Sequence, residues 1–137
     1  MERSIQDVGI AVLRITMGAM FVAHGLLKLL VFTLPGTVGF FESVGLPGVL
    51  AYAVVLAEIG GGLLLILGWR TREISVVLLP ILLGATWVHR ENGWVFSNPN
   101  GGWEYPIFLA AALVALVFLG SGALALTRPY AVMSKQA

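Results

Sequence analysis

The chain has 137 residues, 58% of them hydrophobic and only 11% charged, with a mean hydropathy of +0.94. A soluble domain carries roughly 25% charged residues, so this composition excludes an ordinary water-soluble core and indicates an integral membrane protein. A net charge of +1 gives no argument for nucleic acid, and the lack of cysteine excludes a disulfide framework, a dithiol redox pair or a thiolate metal site within these residues.

The start, MERSIQDVG, holds two acids and no basic n-region, so it does not read as a cleaved signal peptide. Four apolar runs follow, at about 8–32, 49–67, 74–89 and 105–126. The third is shorter than the roughly 20 residues that cross a bilayer comfortably, and it reaches the headgroup layer through His89. The runs are continuous rather than alternating, which predicts helices. The expected fold is therefore all-α: a transmembrane four-helix bundle forming a single domain over 1–137. Pro80 predicts a kink in span three. Leu-Pro-Gly at 34–36 and again at 46–48, Gly68 before Trp69-Arg70, and Asn98-Pro99-Asn100-Gly101-Gly102 predict the breaks between spans.

Basic residues outside the spans set the orientation. Arg3, Arg70, Arg72, Arg128 and Lys135 fall on one side, whereas the 33–48 loop has none and the 90–104 loop has only Arg90. Both termini are thus expected in the cytoplasm (N-in, C-in), and the chain in a bacterial inner membrane. Trp87, Trp94, Phe96 and Trp103 then cluster near the outer face, as an aromatic belt does.

The most informative residue is Glu58, a carboxylate in the middle of span two. At that depth it needs a partner or a water-filled site, and span one offers Arg14, His24 and Lys28. With a rise of about 1.5 Å per residue, His24 lies roughly 12 Å below the outer end of span one and Glu58 roughly 14 Å below that of span two. Lys28 stacks one turn above His24. Arg14 lies deeper, with a side chain long enough to reach toward Glu58. His89 ends span three, and Trp103, Glu104 and Tyr105 open span four. The expectation is an interior pocket toward the outer side, lined by His24, Lys28, Glu58, His89 and Glu104 and closed over by Trp103 and Tyr105.

Each residue also has a plain structural reading. Arg14 and Glu58 could simply pair to hold spans one and two. Lys28 could snorkel to the headgroups, His24 could be a hydrogen-bonded core histidine, and His89, Arg90 and Glu104 could be interfacial. Gly60-Gly61-Gly62 favours tight helix packing, with Gly18 and Gly25 as the opposing surface, over a flat wall for a planar ligand. A haem ligated by His24 and His89 is disfavoured, because their depths counted from the span ends differ by roughly a dozen Å. No metal site is assigned.

The pattern resembles the DoxX family of small four-span bacterial membrane proteins. The matching residues are Leu13 through Gly18 leading to Phe21-Val22-Ala23-His24-Gly25-Leu26-Leu27-Lys28-Leu29, then Phe40 through Pro47. They continue with Ala57-Glu58-Ile59-Gly60-Gly61-Gly62, Leu65 through Arg72, His89, and Gly101-Gly102-Trp103-Glu104-Tyr105-Pro106. The resemblance covers about residues 8–128. It implies kinship with the quinone-reducing subunit of an archaeal thiosulfate oxidation system, and with members labelled oxidoreductases or accessory membrane subunits.

Two functions follow as expectations. In the first, the chain is an oxidoreductase subunit that binds a quinone. His24 or Lys28 donates a proton, Glu58 relays it and Arg14 keeps Glu58 ionised, which makes His24, Lys28 and Glu58 the candidate catalytic set. In the second, it is a non-catalytic accessory protein that holds a lipid-like ligand or docks a partner enzyme through the 90–104 loop. A small permease ranks below both, since four spans are few for alternating access without a dimer. The expected partners are the bilayer, a redox protein and a second copy of the chain.

Overall fold

Ser4 opens the first helix: its side-chain oxygen accepts the Asp7 amide at 3.1 Å, and Asp7 puts negative charge where the helix dipole favours it. The computed structural model describes residues 4–127, and every regular element among them is helical. Helix α1 spans Ile5–Leu26 and runs on through a single π turn, Leu27–Val31. In that turn the Phe32 amide reaches back five residues to the Leu27 carbonyl at 3.0 Å. A short α2, Leu34–Ser43, leads to α3, Leu50–Leu67. Helix α4 spans Thr71–His89 and ends in one 3₁₀ turn, Arg90–Asn92; α5 spans Glu104–Leu119.

The stretches Ile5–Val31, Leu50–Leu67 and Thr71–Asn92 are long and apolar enough to cross a membrane. Helix α5 has 16 residues, roughly 24 Å at the α-helical rise, short of a hydrocarbon core of about 30 Å. Leu56, Phe108 and Phe118 point outward at 75, 70 and 77% exposure, so the outer surface is suited to lipid tails rather than water. Pro80 sits inside α4, which continues past it to His89.

Two boundaries differ from the expectation. The segment 33–48 is not a plain loop. Leu34-Pro35-Gly36, read as a break, is the first turn of α2, because proline lacks only an amide that a first turn cannot use. Span four ends at Leu119 rather than near 126. Gly120 and Gly122 take φ values of 84° and 64°, and the chain folds back instead of rising. The Ala123 amide then bonds the Asp7 carbonyl at 2.9 Å, and those of Leu126 and Thr127 bond Leu67 and Gly68 at 3.0 and 3.1 Å. Of the residues behind the N-in, C-in expectation, Arg3, Arg128 and Lys135 lie outside the described residues.

The main interfaces are α1 against α3 and α4 against α5. A Cβ on Gly18 would lie 2.6 Å from the Gly62 carbonyl oxygen, and one on Gly62 would lie 2.7 Å from that of Gly18. The two helices thus meet backbone to backbone, which only small residues permit. Met17, Phe21, Leu65, Leu78, Leu82, Ala110, Leu113 and Leu116 form the core between the four longer helices.

Arg14 holds the end of the molecule opposite the 33–48 and 90–104 segments. It is fully buried, and its guanidinium donates to the carbonyls of Leu65 and Ile66 (2.6 Å each), Ser121 (2.7 Å), Ala123 (2.8 Å) and Leu124 (3.3 Å). Two of these are last-turn carbonyls of α3, at the negative end of its dipole; that of Leu65 also accepts the Gly68 amide at 3.0 Å. Gly68, at φ 69°, closes that helix, and a Cβ there would lie 2.9 Å from Arg14 Cζ.

Candidate ligand site around the Lys28–Glu58 pair

Helix α1 presents Arg14, Gly18, Phe21 and Gly25 along one buried stripe, and continuing at helical spacing brings Lys28 to α3. A Cβ on Gly25 would lie 3.2 Å from Glu58 Cβ, so α3 approaches closely just below the lysine. Lys28 sits within the π turn, and the Thr37 hydroxyl of α2 donates toward the Lys28 and Thr33 carbonyls at 3.2 and 2.9 Å. A π turn inserts an extra residue and re-aims side chains, a device common at functional sites. Here Lys28 Nζ donates to both oxygens of Glu58, at 3.0 and 2.9 Å. Glu58 is 4% exposed, and a carboxylate sealed that far needs such a partner.

Two cavities meet at this pair. One, of about 420 Å³, lies between α1, α4, α5 and the 93–103 loop. His24, Lys28, Glu58, His89 and Tyr105 line it, with Phe96, Gly101 and Gly102 from the loop. The other, of about 430 Å³, lies between α2, α3 and α4 and is almost wholly apolar. Lys28, Glu58, Ile81, Ala85 and His89 line both, so the ion pair stands in the shared wall.

The imidazoles are held alike. His24 Nδ1 lies 2.7 Å from the Met20 carbonyl, and His89 Nδ1 lies 2.7 Å from the Ala85 carbonyl. A carbonyl only accepts, so each Nδ1 carries a hydrogen. In the neutral form of either ring the lone pair is then on Nε2, at the far edge from its own helix. Neither Nε2 is among the sealed, unpartnered polar atoms, and both rings line the first cavity. The Tyr105 ring lies 6.0 Å from that of His24, and its hydroxyl approaches Met20 Sδ at 3.8 Å.

Of the residues expected in the pocket, His24, Lys28, Glu58, His89 and Tyr105 line it. Three others are elsewhere. Arg14 does not reach Glu58: it lies 14 positions before Lys28, roughly 21 Å along a helix, and backbone carbonyls take all its donors. Lys28, not Arg14, therefore balances the carboxylate. Glu104 is not in the lining, because its carboxylate accepts the Phe96 amide at 3.0 Å and ties down the loop. Trp103 packs edge-on against Trp94, with ring centroids 4.5 Å apart. Nothing in Leu27-Lys28-Leu29-Leu30-Val31 signals the π turn. Phe96, Gly101 and Gly102 also form part of the wall, beyond the residues expected there; the only sequence signal for them is a glycine pair six residues or fewer from an aromatic. Among the described residues, no three His, Asp or Glu side chains come together as a metal site.

A family model described as DoxX matches residues 9–90. The chain is 32% identical over 120 residues to the Bacillus subtilis protein named "Putative oxidoreductase CatD", covering 88% of this chain and 85% of that one. It is 31% identical over 90 residues to "Inner membrane protein YqjF" of Escherichia coli, covering 66% and 68%. It is 35% identical over 124 residues to an uncharacterised protein of Haemophilus influenzae, covering 88% and 90%. No solved structure matches the chain significantly. A family match over more than half the chain, on an all-helical membrane scaffold that carries Lys28 and Glu58 face to face, leads to one conclusion: the chain belongs to the DoxX family.

Proposed function

We propose that this protein is a quinone-linked component of a bacterial inner membrane, binding an apolar ring in the first cavity. The chain would cross as a four-helix bundle with both termini in the cytoplasm, and the cavity would lie toward the outer side. The names of the Bacillus subtilis and Escherichia coli relatives support an oxidoreductase role and an inner-membrane location. The observation that carries the reading is the lining: a largely apolar chamber in which two accessible imidazole nitrogens and a buried ion pair converge. Such a mixture, mostly apolar with a few converging polar groups, suits a small ring with oxygens at its edge.

A bound quinone would supply two-electron chemistry. The chain's own residues would orient it. His24 and His89 offer one ring nitrogen each, Tyr105 and Phe96 give flat walls, and Lys28 and Glu58 keep a fixed pair of opposite charges at the inner wall. With no cysteine and no nucleotide motif in the chain, electrons would pass to or from a partner protein. Solvent extraction of protein purified from native membranes tests this: quinone should be recovered in roughly equimolar amount, and His24→Ala and Glu58→Gln should lose it. Quinone retained in full by both folded variants would remove the assigned roles.

A non-catalytic accessory role is the second reading. The apolar second cavity favours a lipid-like occupant, and Trp94 and Phe96, exposed at 52 and 67%, favour a partner docked on the outer loop. A stable redox partner recovered by affinity purification would separate this role from a stand-alone enzyme.

A further inference from the structure

We infer that the first cavity selects the reduced, dihydroxy form of its ring ligand over the corresponding quinone; this rests on the reading above and specifies its ligand. The observation is the shared orientation of the two imidazoles. Both Nδ1–H groups are committed to carbonyls of their own helices, Met20 and Ala85, at 2.7 Å. Among the described residues nothing bonds either Nε2 atom, and both rings face the chamber. A neutral ring held this way presents a hydrogen-bond acceptor. The hydroxyls of an aromatic diol can donate to those two lone pairs. The carbonyl oxygens of a quinone can only accept, so against the same atoms they meet lone pair with lone pair and leave polar atoms unpaired. A site built to bond a hydroxyl discriminates strongly against the analogue that lacks it.

The donors in the wall do not balance this. Lys28 has three N–H groups and places two on Glu58, which leaves one donor against two acceptors. Glu58 has both oxygens engaged by Lys28 and offers no donor. The Tyr105 hydroxyl, near Met20 Sδ, can serve either form.

The test is anaerobic equilibrium dialysis of the detergent-solubilised full chain with duroquinol and, separately, duroquinone. Their ring methyls are identical, so the two probes differ only in the oxygens. The expected result is binding of duroquinol at least about tenfold tighter. Preferential binding of the reduced form raises the midpoint potential of the bound couple, by about 30 mV for each tenfold. His24→Phe and His89→Phe should each erode the preference, weakening duroquinol several-fold more than they weaken duroquinone. Equal binding of the two forms by the unaltered protein, or tighter binding of duroquinone, would overturn the inference while leaving a ring-binding pocket. Binding of neither form would overturn both. The comparison within the unaltered protein stands even if a variant fails to fold.

Discussion

Lys28 and Glu58 grip each other from facing helices, with Nζ 3.0 and 2.9 Å from the two carboxylate oxygens, in a wall that two cavities share. Removing one partner leaves an unpaired buried charge, whereas removing both does not. Lys28→Met alone should therefore lower stability by about 3–5 kcal/mol, and Lys28→Met combined with Glu58→Leu should cost clearly less than the sum of the two single changes. Reversible unfolding in mixed detergent micelles measures this. Simple additivity would mean that the two charges do not interact.

Arg14 belongs to the scaffold, at the other end of α1. Its planar fork serves five carbonyls from α3 and the 120–127 segment, a geometry that a lysine ammonium cannot match. Arg14→Lys should reduce stability by at least about 2 kcal/mol and leave ring binding unchanged in the folded fraction. A loss of binding at unaltered stability would return Arg14 to the site.

The glycine triplet in α3 separates by position. Gly62→Val would drive methyl groups into the α1 backbone at Gly18 and should destabilise by about 1–3 kcal/mol. A Cβ on Gly60 meets nothing within 4 Å, so Gly60→Ala should be neutral or stabilising by up to about 1 kcal/mol through helix propensity. Thermal midpoints of the two variants, compared side by side, check the contrast.

Much of this fold can be read from the sequence because lipid demands long uninterrupted apolar helices, and such runs are visible as composition. The exceptions have local causes. Helix α2 hid behind Leu34-Pro35-Gly36, which signals a turn as readily as a helix start. The end of α5 hid because Ala123 to Leu126 is apolar and looks like more span, while Gly120 and Gly122 turn the chain. Within the site, the depth count sets Glu58 level with His24, whereas the structure joins Glu58 to Lys28, one turn further along α1. Arg14 found carbonyls, which no residue type advertises, and the π turn at Lys28 is a matter of backbone register. Glu104 looked like a pocket acid because nothing in the sequence shows that the Phe96 amide needs an acceptor.

The absence of cysteine makes topology directly testable. In right-side-out vesicles, Ser97→Cys in the outer loop should react with a membrane-impermeant maleimide. Glu73→Cys, at the start of α4, should react only after permeabilisation. The reverse pattern would invert the orientation.

The most direct measurement of the pocket itself is photoaffinity labelling with an azido-quinone in native membranes, followed by peptide mapping. Labels are predicted on the segments that carry His24 and Lys28 and on those that carry His89, Phe96 and Tyr105, suppressed by excess unlabelled quinone. Labels confined to lipid-facing positions such as Leu56 and Phe118, with no protection by competitor, would contradict a ring-binding site at the Lys28–Glu58 wall.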